Sequence, residues 1–242
     1  VVQHIRIRAG EAGALKGSDW GEDSISTASA WNVIVDHCSL TWATDENLST
    51  SGPRFTGATP DEWRRGTSHR ITFSHNIIAE GLADSTHPKF EHSKGSLIHD
   101  NGTDILIYGN LYAHNYERSP LFKGGVHGVI VNNFIYNPGQ RAIHYNLMAL
   151  EWDSVEFQVG KMTAVGNVMR AGPSTESPIA LVMLGGHGDL EYYGRDNIAV
   201  DRIGSDLPML GRYSTGSARL IEMQTPPVWW PGLIVHPAVE VE

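Results

Sequence analysis

The stretch Phe73-Ser74-His75-Asn76-Ile77-Ile78 decides the reading of this chain, because its shape returns throughout the sequence. Val35-Asp36-His37-Cys38-Ser39-Leu40 precedes it. Tyr108-Gly109-Asn110-Leu111-Tyr112, Val131-Asn132-Asn133-Phe134-Ile135 and Val165-Gly166-Asn167-Val168-Met169 follow, and Tyr193-Gly194-Arg195-Asp196-Asn197-Ile198 is a looser copy. Each has an alternating apolar run, a polar turn residue and a second apolar run. From Cys38 the turn positions recur after 38, 34, 23, 34 and 30 residues. Repeats at such periods indicate a solenoid, and period-two Val, Ile, Phe and Tyr make its coils β-strands. A β-solenoid offers a long rigid face that suits a polymer better than a small metabolite. Asn suits the corner because it tolerates left-handed backbone and its amide can stack on its copy one coil away. Cys38 fills the same slot as a small buried residue. His37 and His75 align with each other, which implies a turn role.

Working outward, residues 51–66 (Gly52, Pro53, Gly57, Pro60, then Asp61-Glu62-Trp63-Arg64-Arg65) read as a long loop with room for a helical turn. Further excursions are expected between Gly81 and Ser93 and over 136–160, so loops would bulge from one edge of the coil, where function usually sits. The expectation is one domain over 1–242, with the solenoid ending near Tyr213. Residues 213–242, rich in Pro around Trp229 and Trp230, then form an extended tail packing on the helix. A solenoid opening at Val1 would leave an open coil end, which implies further coils before it.

Composition narrows the function. The chain has 242 residues, 40% hydrophobic and 19% charged, enough for a sizeable core. Its single cysteine excludes an internal disulfide framework. No apolar run approaches the roughly 20 residues of a membrane span. A formal charge of −9 argues against nucleic acid as the main partner. For an anionic sugar polymer the same charge would repel, unless a divalent cation and a local basic patch offset it.

Such a patch is present. Glu117-Arg118-Ser119-Pro120-Leu121-Phe122-Lys123-Gly124-Gly125 fixes Arg118 and Lys123 in a stiff loop, and Lys94 lies one coil earlier in His92-Ser93-Lys94-Gly95-Ser96-Leu97. Stacked in register, Lys94 and Arg118 would reach the same sugar. The plainer reading pairs Arg118 with Glu117 or makes it a coil cap, and makes Lys94 a solvated lysine. Asp23, Asp45 and Glu46 flank the strand around 33–40; converging oxygens of this kind suit Ca²⁺, though each also fits an ordinary turn. The 12 histidines show no HExxH or comparable zinc spacing, so the sequence argues against a histidine-metal site.

Taken together, Asn32-Val33-Ile34-Val35-Asp36-His37-Cys38-Ser39, Asp45-Glu46-Asn47-Leu48-Ser49, His92-Ser93-Lys94-Gly95-Ser96-Leu97-Ile98, Arg118-Ser119-Pro120 and Val131-Asn132-Asn133 resemble bacterial members of the pectate lyase family, the first family of polysaccharide lyases. The similarity runs from about residue 4 to 145. It implies an all-β, right-handed parallel β-helix that cleaves polygalacturonate by Ca²⁺-assisted β-elimination. It implies Arg118 as the base, Lys123 as a second basic residue (an Arg-to-Lys departure) and Lys94 as a contact to a substrate carboxylate. It implies Asp23 and Asp45 as Ca²⁺ ligands, with Gly21 and Ser49 standing where two further acids are expected and Glu46 as a substitute. A secreted or periplasmic location and an acidic polysaccharide partner complete the implication, and a β-helix groove of this kind works as a monomer. Two alternatives stay open: a non-catalytic polysaccharide-binding β-helix, and a glycoside hydrolase on the same fold.

Overall fold

The computed structural model describes residues 1–11, 13–89 and 92–242. The chain winds as a parallel β-helix. Three sheets of 8, 7 and 7 strands run along it, and within each sheet the neighbours are strands three apart in sequence, so every coil gives one strand to each. One coil is Thr103–Tyr108, Leu111–Ala113 and Leu121–Lys123. The third sheet, which carries the site described below, consists of Ile25–Ala28, Glu46–Ser51, Lys94–Ile98, Leu121–Lys123, Ile143–Leu147, Val182–Gly186 and Leu210–Arg212.

Strict register makes the core. Val35 pairs with Phe73, Phe73 with Ile107, Ile107 with Ile130 and Ile130 with Ala164, and these side chains are all essentially fully buried. Inward positions therefore form columns of apolar residues, each large side chain contributing about 1.5–3 kcal/mol on burial.

The corner between the first and second sheets divides the work between two residues. Left-handed backbone falls on His37, His75, Gly109, Asn132, Gly166 and Asp196, and the next residue is the ladder position. Asn76 donates its Nδ2 to Asn110 Oδ1 at 3.0 Å, and the chain continues through Asn133, Asn167 and Asn197 at 3.0, 2.9 and 3.1 Å. Each Oδ1 also accepts the backbone N–H one coil below, beginning with Cys38 N–H to Asn76 Oδ1 at 2.9 Å. The ladder Asn thus satisfies buried backbone, while its predecessor absorbs the left-handed strain expected of the Asn itself.

Three expectations are revised. Residues 143–147 are a core strand, not part of a loop: Ile143, Tyr145 and Leu147 alternate inward and are fully buried. Residues 60–66 form a full helix, with Thr59 and Glu62 making a reciprocal capping box. The solenoid outlasts Tyr213, since Leu220–Glu222 pairs in parallel with Leu190–Tyr192. Beyond it the tail lies on the outer face of the first sheet, where Trp229 and Trp230 pack with Val129, Val131 and Val165.

Candidate active site

At the leading edge of the third sheet, register stacks charged residues coil upon coil. Glu46 pairs with Lys94 and Lys94 bridges to Glu117. Arg141 comes next, its backbone N–H reaching Tyr116 O. Coil spacing is about 4.8 Å, so the row Glu46, Lys94, Glu117-Arg118, Arg141 spans little more than a short oligosaccharide. Gly95 permits the packing: a Cβ there would lie 2.4 Å from Arg118 O, while Arg118 takes left-handed backbone at φ 65°.

Glu117 is the hub. Its carboxylate ion-pairs with Lys94 and Arg141, lies 3.8 Å from Arg118 Nε and 3.9 Å from His144 Nε2, and is 9% exposed. Burial pushes its pKa up, but His144, Lys94 and Arg141 outweigh burial and bring it down to about 2. Burial also drives His144 down to about 3, so at neutral pH the imidazole is uncharged and the two cations do the holding. Arg118 itself ion-pairs with Glu46. Burial lowers the guanidinium's pKa, against the opposing influence of Asp45.

Beside this row lie the acids. Asp23, Asp45 and Glu46 each place one carboxylate oxygen within 4.8 Å of the others. Asp23 accepts the Glu46 N–H at 2.8 Å and the Ser49 hydroxyl. Burial, aided by the charge of Asp45, pushes Asp23 up to about 6, against the Ser49 bond. Asp45 is also raised by burial, but the His92 hydrogen bond and the charges around it bring it below the ordinary value. Three carboxylates this close, partly buried, offer hard oxygen donors of the kind a divalent cation such as Ca²⁺ takes, with His92 and Arg118 holding Asp45 and Glu46.

Of the residues singled out from sequence, the structure brings together Lys94, Arg118, Asp23, Asp45 and Glu46. Lys123 sits elsewhere. It ends its strand in an ion pair with Glu151 and lies 3.8 Å from Asp100, which Arg54 and Trp152 also hold. Three contributors escaped the sequence reading. Arg141 follows Arg118 by 23 residues, the same step as Asn110 to Asn133, so adding one coil would have found it. His92 and His87 approach Asp45 at 2.6 and 3.6 Å from an aperiodic loop, and no spacing signals them. Past Arg141 the edge opens into a cleft of about 530 Å³ lined by Gln140, Arg141, Met183, Arg212 and Tyr213, with Arg141 Cζ 4.5 Å above the Tyr213 ring.

No protein-family model matches the chain. Curated proteins do. A probable pectate lyase C of Aspergillus terreus is 33% identical over 175 residues, 72% of this chain and 33% of its own length. The Emericella nidulans protein of the same name is 34% identical over 139 residues, 57% and 26% of the two chains. That of Neosartorya fischeri is 31% identical over 175 residues, again 72% and 33%. These relatives are fungal, where the motifs suggested bacterial ones. The solved structure of the thermostable pectate lyase PL 47 aligns with 99% of this chain and 67% of its own, at 12% identity and a TM-score of 0.46. The chain is therefore similar, over much of its length, to a segment spanning about a quarter to a third of the pectate lyase C proteins it matches.

Proposed function

We propose that this chain is a polysaccharide lyase of the pectate lyase family, cleaving a pectate-like polyuronate by Ca²⁺-assisted β-elimination. One observation carries the reading: Lys94, Arg118 and Arg141 rise on successive coils of one sheet edge, directly beside the Asp23–Asp45–Glu46 carboxylates. Similarity to the pectate lyase C proteins supports it.

In this reading the polymer lies along the leading edge of the third sheet. Lys94 and Arg141, held in place by Glu117, meet a uronate carboxylate and stabilise the charge that develops when C5 loses its proton. Arg118 removes that proton. The C5–H electron pair becomes a C4–C5 double bond, the bond from C4 to the glycosidic oxygen breaks, and the leaving oxygen takes a proton from solvent. Burial of Arg118 favours its neutral form, so activity belongs to alkaline pH. Asp23, Asp45 and Glu46 would hold the Ca²⁺, whose chemistry is to neutralise uronate carboxylates. Lys123, set among Asp100, Glu151 and Arg54, is assigned to holding the strand that follows Arg118. The setting that goes with this activity is extracytoplasmic, with the protein acting as a monomer on an acidic polysaccharide.

An inverting hydrolase is disfavoured by the carboxylates, whose oxygens lie within 4.8 Å, closer than the ~6.5–9.5 Å an inverting pair needs to admit water. Digesting polygalacturonate and analysing the products by ultraviolet absorbance and mass separates the readings. A lyase yields an unsaturated end that absorbs in the ultraviolet, with products lighter by one water than those of hydrolysis; a hydrolase yields saturated products, and a binding protein yields none.

A further inference from the structure

On the corner between the first and second sheets, His4, His37 and His75 occupy equivalent places on three successive coils. All three take left-handed backbone, with φ of 56°, 52° and 52°, and all are exposed. Their rings follow one another at 5.4 and 4.9 Å between centroids. Asp36 lies between the last two: its Oδ2 is 2.8 Å from His37 Nδ1 and its Oδ1 is 3.2 Å from His75 Nδ1. One atom from each of Asp36, His37 and His75 falls within 4.8 Å of the others.

We propose that Asp36, His37 and His75 form a site for a divalent transition-metal ion of the zinc type, separate from the lyase cleft. Bonds of 2.0–2.1 Å to a tetrahedral ion space its ligand atoms about 3.3 Å apart, and the two carboxylate–imidazole separations, 2.8 and 3.2 Å, both lie a little below that value. Imidazole and carboxylate together select zinc or its neighbours over calcium. The carboxylate is braced as a metal ligand should be, accepting Ser74 Oγ at 2.7 Å and Gln3 Nε2 at 2.8 Å. Protons balance without release when an imidazole carrying its hydrogen on Nδ1 moves it to Nε2 as Nδ1 takes the ion. Solvent completes the coordination through an open pocket of about 360 Å³ lined by His4, Arg6, His37 and His75. Glycine on the fourth coil keeps the row open, since a Cβ on Gly109 would lie 3.2 Å from His75 Nε2.

The other histidine–carboxylate cluster, Asp45 with His87 and His92, lacks this freedom. His87 Nδ1 accepts the Lys89 N–H at 3.1 Å, so the neutral ring keeps its hydrogen on Nε2 and offers Asp45 a donor instead of a lone pair. The two clusters therefore make opposite predictions, which the test exploits.

Zn²⁺ is titrated calorimetrically into the intact chain with Ca²⁺ in excess to occupy carboxylate sites. The expected result is one Zn²⁺ per chain, with affinity falling at least ~10-fold in His37→Asn and His75→Asn and unchanged in His92→Asn. Asn keeps the left-handed corner accessible, and Zn²⁺ should raise the melting temperature of the wild type and of His92→Asn alone. No zinc binding, binding unchanged in both corner variants, or binding lost in His92→Asn would overturn the proposal. Because none of these readouts involves a sugar, failure here leaves the lyase reading untouched.

Discussion

Glu117→Gln tests how the cationic row is held. The substitution keeps the shape of the side chain but leaves Lys94 and Arg141, both ion-paired to it, facing each other without a counter-charge. The carboxyl titrates at about 2 in the fold against 4.5 ordinarily. At 1.36 kcal/mol per unit that depression corresponds to at most about 3 kcal/mol of stability, because His144, its largest cause, is uncharged at neutral pH; removing one partner of a buried pair is of the same order. Because the folded pKa is the lower one, this contribution is complete above pH ~4.5 and fades as pH falls toward ~2. Urea unfolding followed by tryptophan fluorescence measures it. Wild type should exceed Glu117→Gln by up to about 3 kcal/mol at pH 7, with the gap narrowing steadily below pH ~4.5. A variant as stable as wild type at pH 7, or a gap that persists unchanged into acid, would refute the hub role.

Three further outcomes follow from the same structure. Asn133→Ala interrupts the ladder and leaves the Asn110 amide, the Ile107 carbonyl and Asn167 Oδ1 short of partners, so denaturant unfolding should show a loss of about 2–3 kcal/mol. Glu46→Gln removes one of three clustered carboxylates, and calorimetric titration with Ca²⁺ should give an affinity lower by on the order of tenfold. Initial rates on polygalacturonate should climb from neutral into alkaline pH, following the deprotonation of buried Arg118; a flat or acidic profile would count against it as base.

Much of the fold was legible because the ladder demands one residue type at one place in each coil. Asn76, Asn110, Asn133, Asn167 and Asn197 announce the solenoid and its period. What stayed hidden was the third strand of each coil. Leu121–Lys123 is only three residues long and follows loops of unequal length, so no period marks it. Ile143–Leu147 alternates cleanly but stands after Asn137-Pro138-Gly139, whose turn chemistry drew the whole segment into a loop. At the site, Lys94 and Arg118 were readable through coil stacking. Lys123 lies apart from Arg118 because the strand carries it toward Asp100 and Glu151. The His92 contact spans 47 residues between two loops and leaves no trace in spacing.

The most direct test of the central claim compares wild type and Arg118→Ala on polygalacturonate with Ca²⁺ at alkaline pH. Product is followed by the ultraviolet absorbance of the unsaturated uronate, and polymer binding is measured alongside. The account predicts a steady rise with wild type and none with Arg118→Ala, the variant still folding and binding the polymer. Elimination that continues at the wild-type rate without Arg118 would contradict it.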